Sequence, residues 1–129
     1  MAKATKQVHV YAGTRKGGFI FSSDPKRKDW KISGPFHKGW EVHHLDRDPR
    51  DGRLWAATNT TWWGNDVQVS PDHGKTWEKS SAGIGFEKDR GINLNRIWRV
   101  TPDRPSRPNT LWCGVDRSEE RRVGKECRL

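Results

Sequence analysis

A short apolar segment occurs three times in this chain, and this repetition constrains the fold more than any other feature. The copies lie at residues 10–14 (VYAGT), 54–58 (LWAAT) and 111–115 (LWCGV). The first two are followed by an aspartate and a tryptophan. Asp24 and Asp72 are 48 positions apart, and Trp30 and Trp77 are 47 positions apart. A period of this size indicates that the chain is built from structural units of one kind that stack on one another.

The segments between these landmarks are β-strands by their pattern. Residues 66–70 (DVQVS) alternate polar and apolar side chains with period two, and no stretch has sustained helical periodicity. Four short strands in a unit of about 45–50 residues are typical of a β-propeller blade; the alternative is an unrelated all-β sandwich. The predicted strands are 8–13, 18–22, 29–33, 41–46, 53–58, 66–70, 76–80, 96–101 and 110–115.

Residues 70–77 read S-x-D-x-G-x-T-W and predict a tight turn between two strands. The Asp72 carboxylate can accept backbone N–H bonds across the turn. Gly74 can adopt a positive φ that a Cβ would disfavour, and the Trp77 indole can fill a gap between packed sheets. The residues to which we assign this structural role are Ser70, Asp72, Gly74, Thr76 and Trp77.

This octapeptide resembles the Asp-box, or bacterial neuraminidase repeat, and residues 8–116 resemble the sialidase-like Asp-box propellers. The resemblance implies an all-β fold, an incomplete β-propeller of about two and a half four-stranded antiparallel blades. The first copy of the turn, residues 22–30, lacks the glycine and is one residue longer, so we expect a looser turn there. Asp-boxes occur in propellers of different function, so the motif indicates a fold more than an activity.

Three segments are expected along the chain: a disordered N-terminus at 1–7, the partial propeller at 8–116, and a non-native tail at 117–129. Residues 117–128 resemble a translated sequencing-library adapter, and the strand pattern stops after Asp116. A genuine charged tail is the alternative. Because propellers have about four to eight blades, we expect an N-terminal fragment that is marginally stable or aggregation-prone when isolated.

Net charge and apolar content indicate which kinds of partner the protein can have. The formal net charge of +9 raises nucleic acid as a partner, but the basic residues are scattered, with one cluster at 26–28, so nucleic acid is not expected. The sequence has neither the apolar region of a signal peptide nor an apolar span of about 18 residues. We therefore predict a cytoplasmic protein without membrane association. Cys113 is expected to be buried in a strand, and no disulfide framework is predicted.

The resemblance places ligand sites at the end of the blades opposite the Asp-box, near the axis. Trp62 and Trp63 are flanked there by amides and hydroxyls, a composition that suits a glycan platform; the alternative is that one or both pack under their loop. Arg15 and Arg96 could hold an anion bidentately; the alternative, which is favoured for surface arginines, is solvation or pairing between blades. The candidate ligand-binding residues are Arg15, Lys16, Trp40, Glu41, Trp62, Trp63, Asn65 and Arg96.

No catalytic residue, metal site or cofactor is predicted. His43 and His44 are neighbours in a strand and are expected to point to opposite faces. The Arg-Ile-Pro motif of sialidases is absent, and Tyr11, the only tyrosine, lies in the first strand. Glycoside hydrolysis needs two placed carboxylates, and no such pair is supported.

The resemblance thus implies a carbohydrate-related function for the full-length protein, either glycoside hydrolase-like or glycan-binding, with this fragment inactive. The alternative is a non-enzymatic propeller scaffold that binds other proteins. Carbohydrate and protein are therefore the expected ligand classes.

Overall fold

The structure is a computed structural model that describes residues 6–60, 64–80 and 92–119; these residues contain nine strands and no helix. The strands are β1 (Val8–Thr14), β2 (Gly17–Ser23), β3 (Trp30–Phe36), β4 (Glu41–Arg47), β5 (Leu54–Thr60), β6 (Gly64–Ser70), β7 (Glu78–Lys79), β8 (Ile92–Pro102) and β9 (Leu111–Glu119). They form three open antiparallel sheets: the first sheet is β1-β2-β3, the second β4-β5-β6-β7 and the third β8-β9. The predicted all-β class is confirmed, whereas closure into a propeller stays a prediction.

The nine strands lie where the sequence pattern predicts them, and the largest differences are at strand ends. Strand β7 is shorter than predicted, and β8 begins four residues earlier. Strand β9 continues to Glu119, three residues into the segment expected to be a non-native tail, and Arg117 pairs with Leu94. The origin of that segment stays a prediction, and residues 120–129 lie outside the described part of the chain. The same holds for the expected disorder at the N-terminus, because residues 1–5 are not described.

The three sheets pack face to face, with the second sheet in the middle. Its strand β5 is buried on both sides because alternate residues point in opposite directions. Leu54 and Ala56 belong to a core with Ile20 of the first sheet. The alternate residues Trp55 and Ala57 belong to a separate core with the third sheet. Each fully buried large apolar side chain stabilises the fold by about 1.5–3 kcal/mol.

A β-bulge interrupts the pairing of β4 with β5 and that of β8 with β9. The register shifts between Val42 and His44 in the first pair. In the second pair it shifts twice, between Leu94 and Arg96 and between Ile97 and Arg99. A bulge inserts one unpaired residue and locally changes where side chains point. It explains why buried apolar residues lie three positions apart in both strands: Val42 and Leu45 in β4, and Ile97 and Val100 in β8.

The bulge also overturns the expectation for the paired histidines. The His44 Nδ1 atom accepts a hydrogen bond of 3.1 Å from the backbone N–H of Val100. The His43 ring lies 5.0 Å from the Trp98 ring, measured between centroids. Both imidazoles therefore contact strand β8, and the prediction of opposite faces is wrong because it assumed an uninterrupted strand.

The turn at residues 70–77 is held by side-chain hydrogen bonds. The Asp72 carboxylate accepts bonds of 2.7 Å from both the backbone N–H and the hydroxyl of Thr76. The Ser70 hydroxyl donates to Asp72 (2.9 Å) and accepts from the N–H of Gly74 (2.7 Å). The Thr76 and Ser70 bonds lower the pKa of Asp72 to about 2. Gly74 has a φ of 95°, as expected for this turn.

Trp77 packs at the junction of the first and second sheets, as the sequence predicts. Its ring centroid lies 5.9 Å from that of Phe36 and 4.7 Å from that of His37. A Cβ at Gly74 would lie 2.9 Å from the Phe36 ring, so glycine is required there for space as well as for φ. In the corresponding first turn, Asp24 accepts a bond of 3.1 Å from the N–H of Arg27, and Trp30 is 41% exposed.

Cys113 is exposed, contrary to the expectation that it is buried. The reason is that β9 lies at the edge of the described third sheet, which consists of two strands. Within residues 6–60, 64–80 and 92–119 there is no helix long and apolar enough to cross a membrane.

Candidate ligand-binding site at the start of β4

Antiparallel pairing separates the turns of the first and second sheets into two groups. The turn at 14–17, the end of β5 and the starts of β4 and β6 lie at one end of their sheets, whereas the turns at 24–29 and 71–77 lie at the other. The first end therefore carries Glu41, at the start of β4, and Asn59, which pairs with it across the sheet. This is the end at which the sequence predicts ligand binding.

Side chains of β4, β5 and β8 meet at this end, and we refer to them as the β4–β8 cluster: Glu41, His43, Asn59, Arg96 and Trp98. The Glu41 Oε2 atom lies 3.5 Å from the His43 Nε2 atom and 3.5 Å from the Asn59 amide nitrogen. The His43 ring meets the Trp98 ring edge to face. The Arg96 guanidinium lies over the Trp98 ring, 5.4 Å from its centroid.

The His43 side chain is largely enclosed in this cluster: it is 13% exposed, against 34% for Glu41. Burial lowers its pKa below the ordinary value of 6.5; the Glu41 carboxylate acts in the opposite direction, and Arg96 and Arg15 lower the pKa further. The imidazole is therefore neutral at pH 7. Its buried Nε2 atom has no hydrogen-bond partner among the described residues, because the contact with Glu41 lacks hydrogen-bond geometry.

The bulges explain why His43 and Trp98 meet. Both residues occupy the bulge positions, His43 between Val42 and His44 and Trp98 between Ile97 and Arg99. Bulges redirect side chains away from the regular alternation. Sequence reasoning did not select His43, Asn59 or Trp98 as ligand-binding residues. The available signal was that residues 42–45 (VHHL) and 97–100 (IWRV) occupy corresponding places before two copies of the recurring segment.

Among the candidates from sequence, Glu41 and Arg96 belong to the cluster, and Arg15 is close enough to affect the pKa of His43. The Lys16 carbonyl accepts a hydrogen bond of 3.2 Å from the N–H of Gly39, which connects two turns at this end. Among the described residues, no hydrogen bond, ion pair or ring contact joins the Lys16 side chain to the β4–β8 cluster. Trp40 is placed elsewhere: it stacks on His37, with centroids 5.1 Å apart.

Asn65 has a connecting role in the structure. Its amide nitrogen donates to the carbonyls of Leu94 (3.0 Å) and Asn95 (2.9 Å), which ties the start of β6 to the third sheet. The Asn95 side chain in turn donates to Asp116 (2.9 Å). Trp62 and Trp63 lie outside the described residues, so their predicted role stays a prediction.

The β4–β8 cluster combines groups that suit a polar ligand with an apolar face. Trp98 is 49% exposed and offers an aromatic surface. Glu41 and Asn59 offer hydrogen-bond acceptors and a donor, and Arg96 offers a fixed fork of donors. In the part of the chain that the structure describes, no group of three His, Cys, Asp or Glu residues is arranged to hold a metal ion.

No protein-family model and no curated protein sequence matches this chain.

Proposed function

We propose that this chain is part of a sialidase-like Asp-box propeller and that it binds carbohydrate through the β4–β8 cluster. The observation that carries the proposal is the half-exposed ring of Trp98 beside Arg96 and His43. An indole is a flat apolar surface with a polar edge, and the C–H face of a sugar ring can stack on it. The carboxylate of Glu41 lies beside His43 and the amide of Asn59. Both groups can form hydrogen bonds with sugar hydroxyls.

The proposal is for binding and not for hydrolysis. Glu41 supplies the single carboxylate of the β4–β8 cluster, and Asp116, which pairs with Arg96 across the third sheet, is bonded to Asn95. Glycoside hydrolysis by the usual routes needs two carboxyl groups flanking the scissile bond, about 5–10 Å apart. The cluster therefore supports recognition of a saccharide without a catalytic pair.

The test compares two tryptophans of similar exposure. The purified chain is first applied to an array of neutral and sialylated saccharides, and the affinity for the best ligand is then measured by calorimetry. Trp98→Ala should weaken binding at least about tenfold, equivalent to about 1.4 kcal/mol. Trp112→Ala is the matched control because Trp112 is also exposed but lies outside the cluster. Absence of any saccharide binding, or equal losses in the two variants, would refute the proposal.

A second candidate function is a non-enzymatic scaffold that binds protein. It is favoured by a shallow apolar groove on the first sheet, lined by Val10, Phe21, Trp30 and Ile32. Exposed apolar patches of this kind mark protein contact sites in many soluble proteins. A pull-down in which Ile32→Asp abolishes capture of a partner while Trp98→Ala leaves it intact would favour the scaffold over carbohydrate binding.

A further inference from the structure

Two histidine side chains meet between the first and second sheets, at the end opposite the β4–β8 cluster. His9 lies on β1, where it pairs with Ser22 close to the turn at 24–29. His73 lies in the turn at 71–77 of the second sheet. The two imidazole rings have centroids 4.8 Å apart, and their planes are inclined by 58°. Because the rings belong to different sheets, a ligand that binds both of them also joins the sheets.

One nitrogen of each imidazole is already engaged by a hydroxyl group. The His9 Nδ1 atom is hydrogen-bonded to the Ser22 hydroxyl (2.8 Å), and the His73 Nε2 atom to the Tyr11 hydroxyl (3.1 Å). Among the described residues, the other nitrogen of each ring has no hydrogen-bond partner. Metal-binding histidines have this arrangement, in which a bond to the second nitrogen fixes the tautomer and the orientation of the ring.

The turn holds His73 in place through its backbone. His73 has a φ of 59°, in the left-handed region that is unfavourable for residues with a Cβ. Two side chains of the turn accept backbone N–H bonds of 2.7 Å that fix its shape: Ser70 from Gly74, and Asp72 from Thr76. Non-glycine residues held in this region cluster at active sites and ligand clamps. The position of His73 against β1 is thus set by the turn and needs no ligand to form.

The charges around the pair keep its imidazoles available as ligands. Burial lowers the pKa of His73, and His9 and Arg47 lower it further. A neutral imidazole is the form that binds a metal ion. Arg47 is exposed, so water screens its repulsion of a cation. Arg47 and Asp46 shift the pKa of Tyr11 in opposite directions, so the positive charge near the pair is partly compensated.

We propose that His9 and His73 bind one divalent transition-metal ion, and that this ion joins the first sheet to the second. Two imidazoles on one tetrahedral ion, each with its nitrogen about 2.0–2.1 Å from the metal, have ring centres about 5 Å apart. The separation of 4.8 Å fits this arrangement. Imidazole suits Zn²⁺, Cu²⁺ and Ni²⁺, whereas Mg²⁺ and Ca²⁺ are bound by oxygen ligands.

The site has two protein ligands and is accessible, because His73 is exposed. The described residues supply no third His, Cys, Asp or Glu ligand, so water occupies the other positions of the ion. Such a site binds metal reversibly and more weakly than the four-ligand sites of structural zinc proteins. The inference does not depend on carbohydrate binding, because the pair and the β4–β8 cluster lie at opposite ends of the sheets.

The experiment compares three histidine variants of the full chain after a chelator has removed bound metal. His9→Gln and His73→Asn each remove one ligand, and asparagine is chosen because it tolerates a positive φ. His44→Gln is the matched control, because the His44 ring also connects two sheets with its Nδ1 engaged but lies outside the pair. Calorimetry measures Zn²⁺ binding, and pulsed electron paramagnetic resonance counts the imidazole nitrogens on Cu²⁺. Thermal unfolding without metal establishes that each variant is folded; His9→Phe and His73→Gly replace variants that are not.

We expect the wild type and His44→Gln to bind one Zn²⁺ and to place two imidazole nitrogens on Cu²⁺. His9→Gln and His73→Asn should each weaken Zn²⁺ binding at least about tenfold and leave one nitrogen on Cu²⁺. Zn²⁺ should raise the melting temperature of the wild type, because only the folded chain brings the two histidines together. Mg²⁺ at the same concentrations should not.

Three results would overturn the proposal. One is a wild type that binds neither Zn²⁺ nor Cu²⁺. Another is a nitrogen count on Cu²⁺ that stays at the wild-type value in His9→Gln and His73→Asn. The third is a loss of Zn²⁺ affinity in His44→Gln as large as that in His9→Gln, since the ion would then be bound elsewhere.

Discussion

Two hairpins of this molecule share the same local construction but differ in their surroundings. In the β4–β5 hairpin the Trp55 indole donates a hydrogen bond of 3.1 Å to Asp48. In the β8–β9 hairpin the Trp112 indole donates a hydrogen bond of the same length to Asp103. Trp55 is 7% exposed, whereas Trp112 is 60% exposed. The difference is that the third sheet covers Trp55, and no described residue covers Trp112 in the same way.

The two aspartates differ in their ion pairs as well. Asp48 is fully buried and binds Arg50 through both carboxylate oxygens, at 3.0 Å from Nε to Oδ1 and 2.8 Å from Nη2 to Oδ2. The same guanidinium donates to the carbonyls of Arg107 and Thr110 in the other hairpin. Asp103 lies at longer distances, 3.6 Å from Arg104 and 3.8 Å from Arg107, with both arginines mostly exposed. The β4–β5 hairpin thus has a buried ion pair that also binds the β8–β9 hairpin. The ion pairs of the β8–β9 hairpin involve arginines that are exposed to solvent.

The largest expected effect is that of breaking the buried network. Asp48→Ala leaves the Arg50 guanidinium buried without its carboxylate, which typically costs about 3–5 kcal/mol. The corresponding change Asp103→Ala should have a much smaller effect, because the arginines beside Asp103 remain in water. Urea unfolding followed by tryptophan fluorescence measures both. Equal losses of stability in the two variants would show that the hairpins do not differ in the way that their burial indicates.

A smaller effect is expected when the indole hydrogen bond alone is removed. Trp55→Phe keeps an aromatic ring but deprives the buried Asp48 of one donor, for which we expect a loss of about 1–3 kcal/mol in the free energy of unfolding. Trp112→Phe should change the same quantity by less than about 0.5 kcal/mol, as is usual at exposed positions. The measurement is chemical denaturation at pH 7. A Trp112→Phe loss as large as that of Trp55→Phe would contradict the comparison.

The smallest expected difference between the two hairpins is in how the free energy of unfolding depends on pH. Burial raises the pKa of Asp48, but the hydrogen bonds from Arg50 and Trp55 outweigh it and lower the pKa from 3.8 to about 2. Because the pKa is lower in the folded state, Asp48 stabilises the fold above about pH 4, and this contribution is lost as the pH falls through about 2. The free energy of unfolding measured from pH 5 to pH 2 should therefore decrease.

The controls for this measurement are two asparagine variants. Asp72 also has a pKa of about 2, so Asp72→Asn removes a second contribution in the same range. Its remaining acid dependence should come mainly from Asp48, with a smaller part from Asp103, whose pKa is also lowered. Asp103→Asn should retain most of the dependence of the wild type. A curve for Asp72→Asn that does not change between pH 5 and pH 2 would contradict the role assigned to Asp48.

The strands could be predicted from the sequence because their signals are local. Alternation identified residues 66–70, and the recurring segment identified β1, β5 and β9. The bonds of the turn at 70–77 were also accessible, since short polar side chains and a glycine at fixed spacing favour one turn geometry. The position of Cys113 was not accessible in this way. Its exposure depends on how many strands lie beside β9, which alternation within the strand does not report.

The candidate site was less accessible than the strands. Glu41 and Arg96 were selected because they lie near the expected end of the sheets, but His43 and Trp98 were missed. Their contact requires two bulges and the packing of β4 on β8. A bulge adds one residue to a strand, and no residue type in this sequence marks its position. The regular alternation of a strand therefore predicted that His43 and His44 point to opposite faces.

The sequence by itself determined the strands, the turn chemistry and the places where large aromatic residues recur. Those properties depend on neighbouring residues, and they are therefore encoded locally. The tertiary structure decided which of the recurring tryptophans are buried and which are exposed. Trp55 and Trp112 lie at corresponding positions of the recurring segment, and each indole donates a hydrogen bond to an aspartate of its own hairpin, Asp48 or Asp103. Burial distinguishes the two tryptophans because it depends on the sheet that lies opposite.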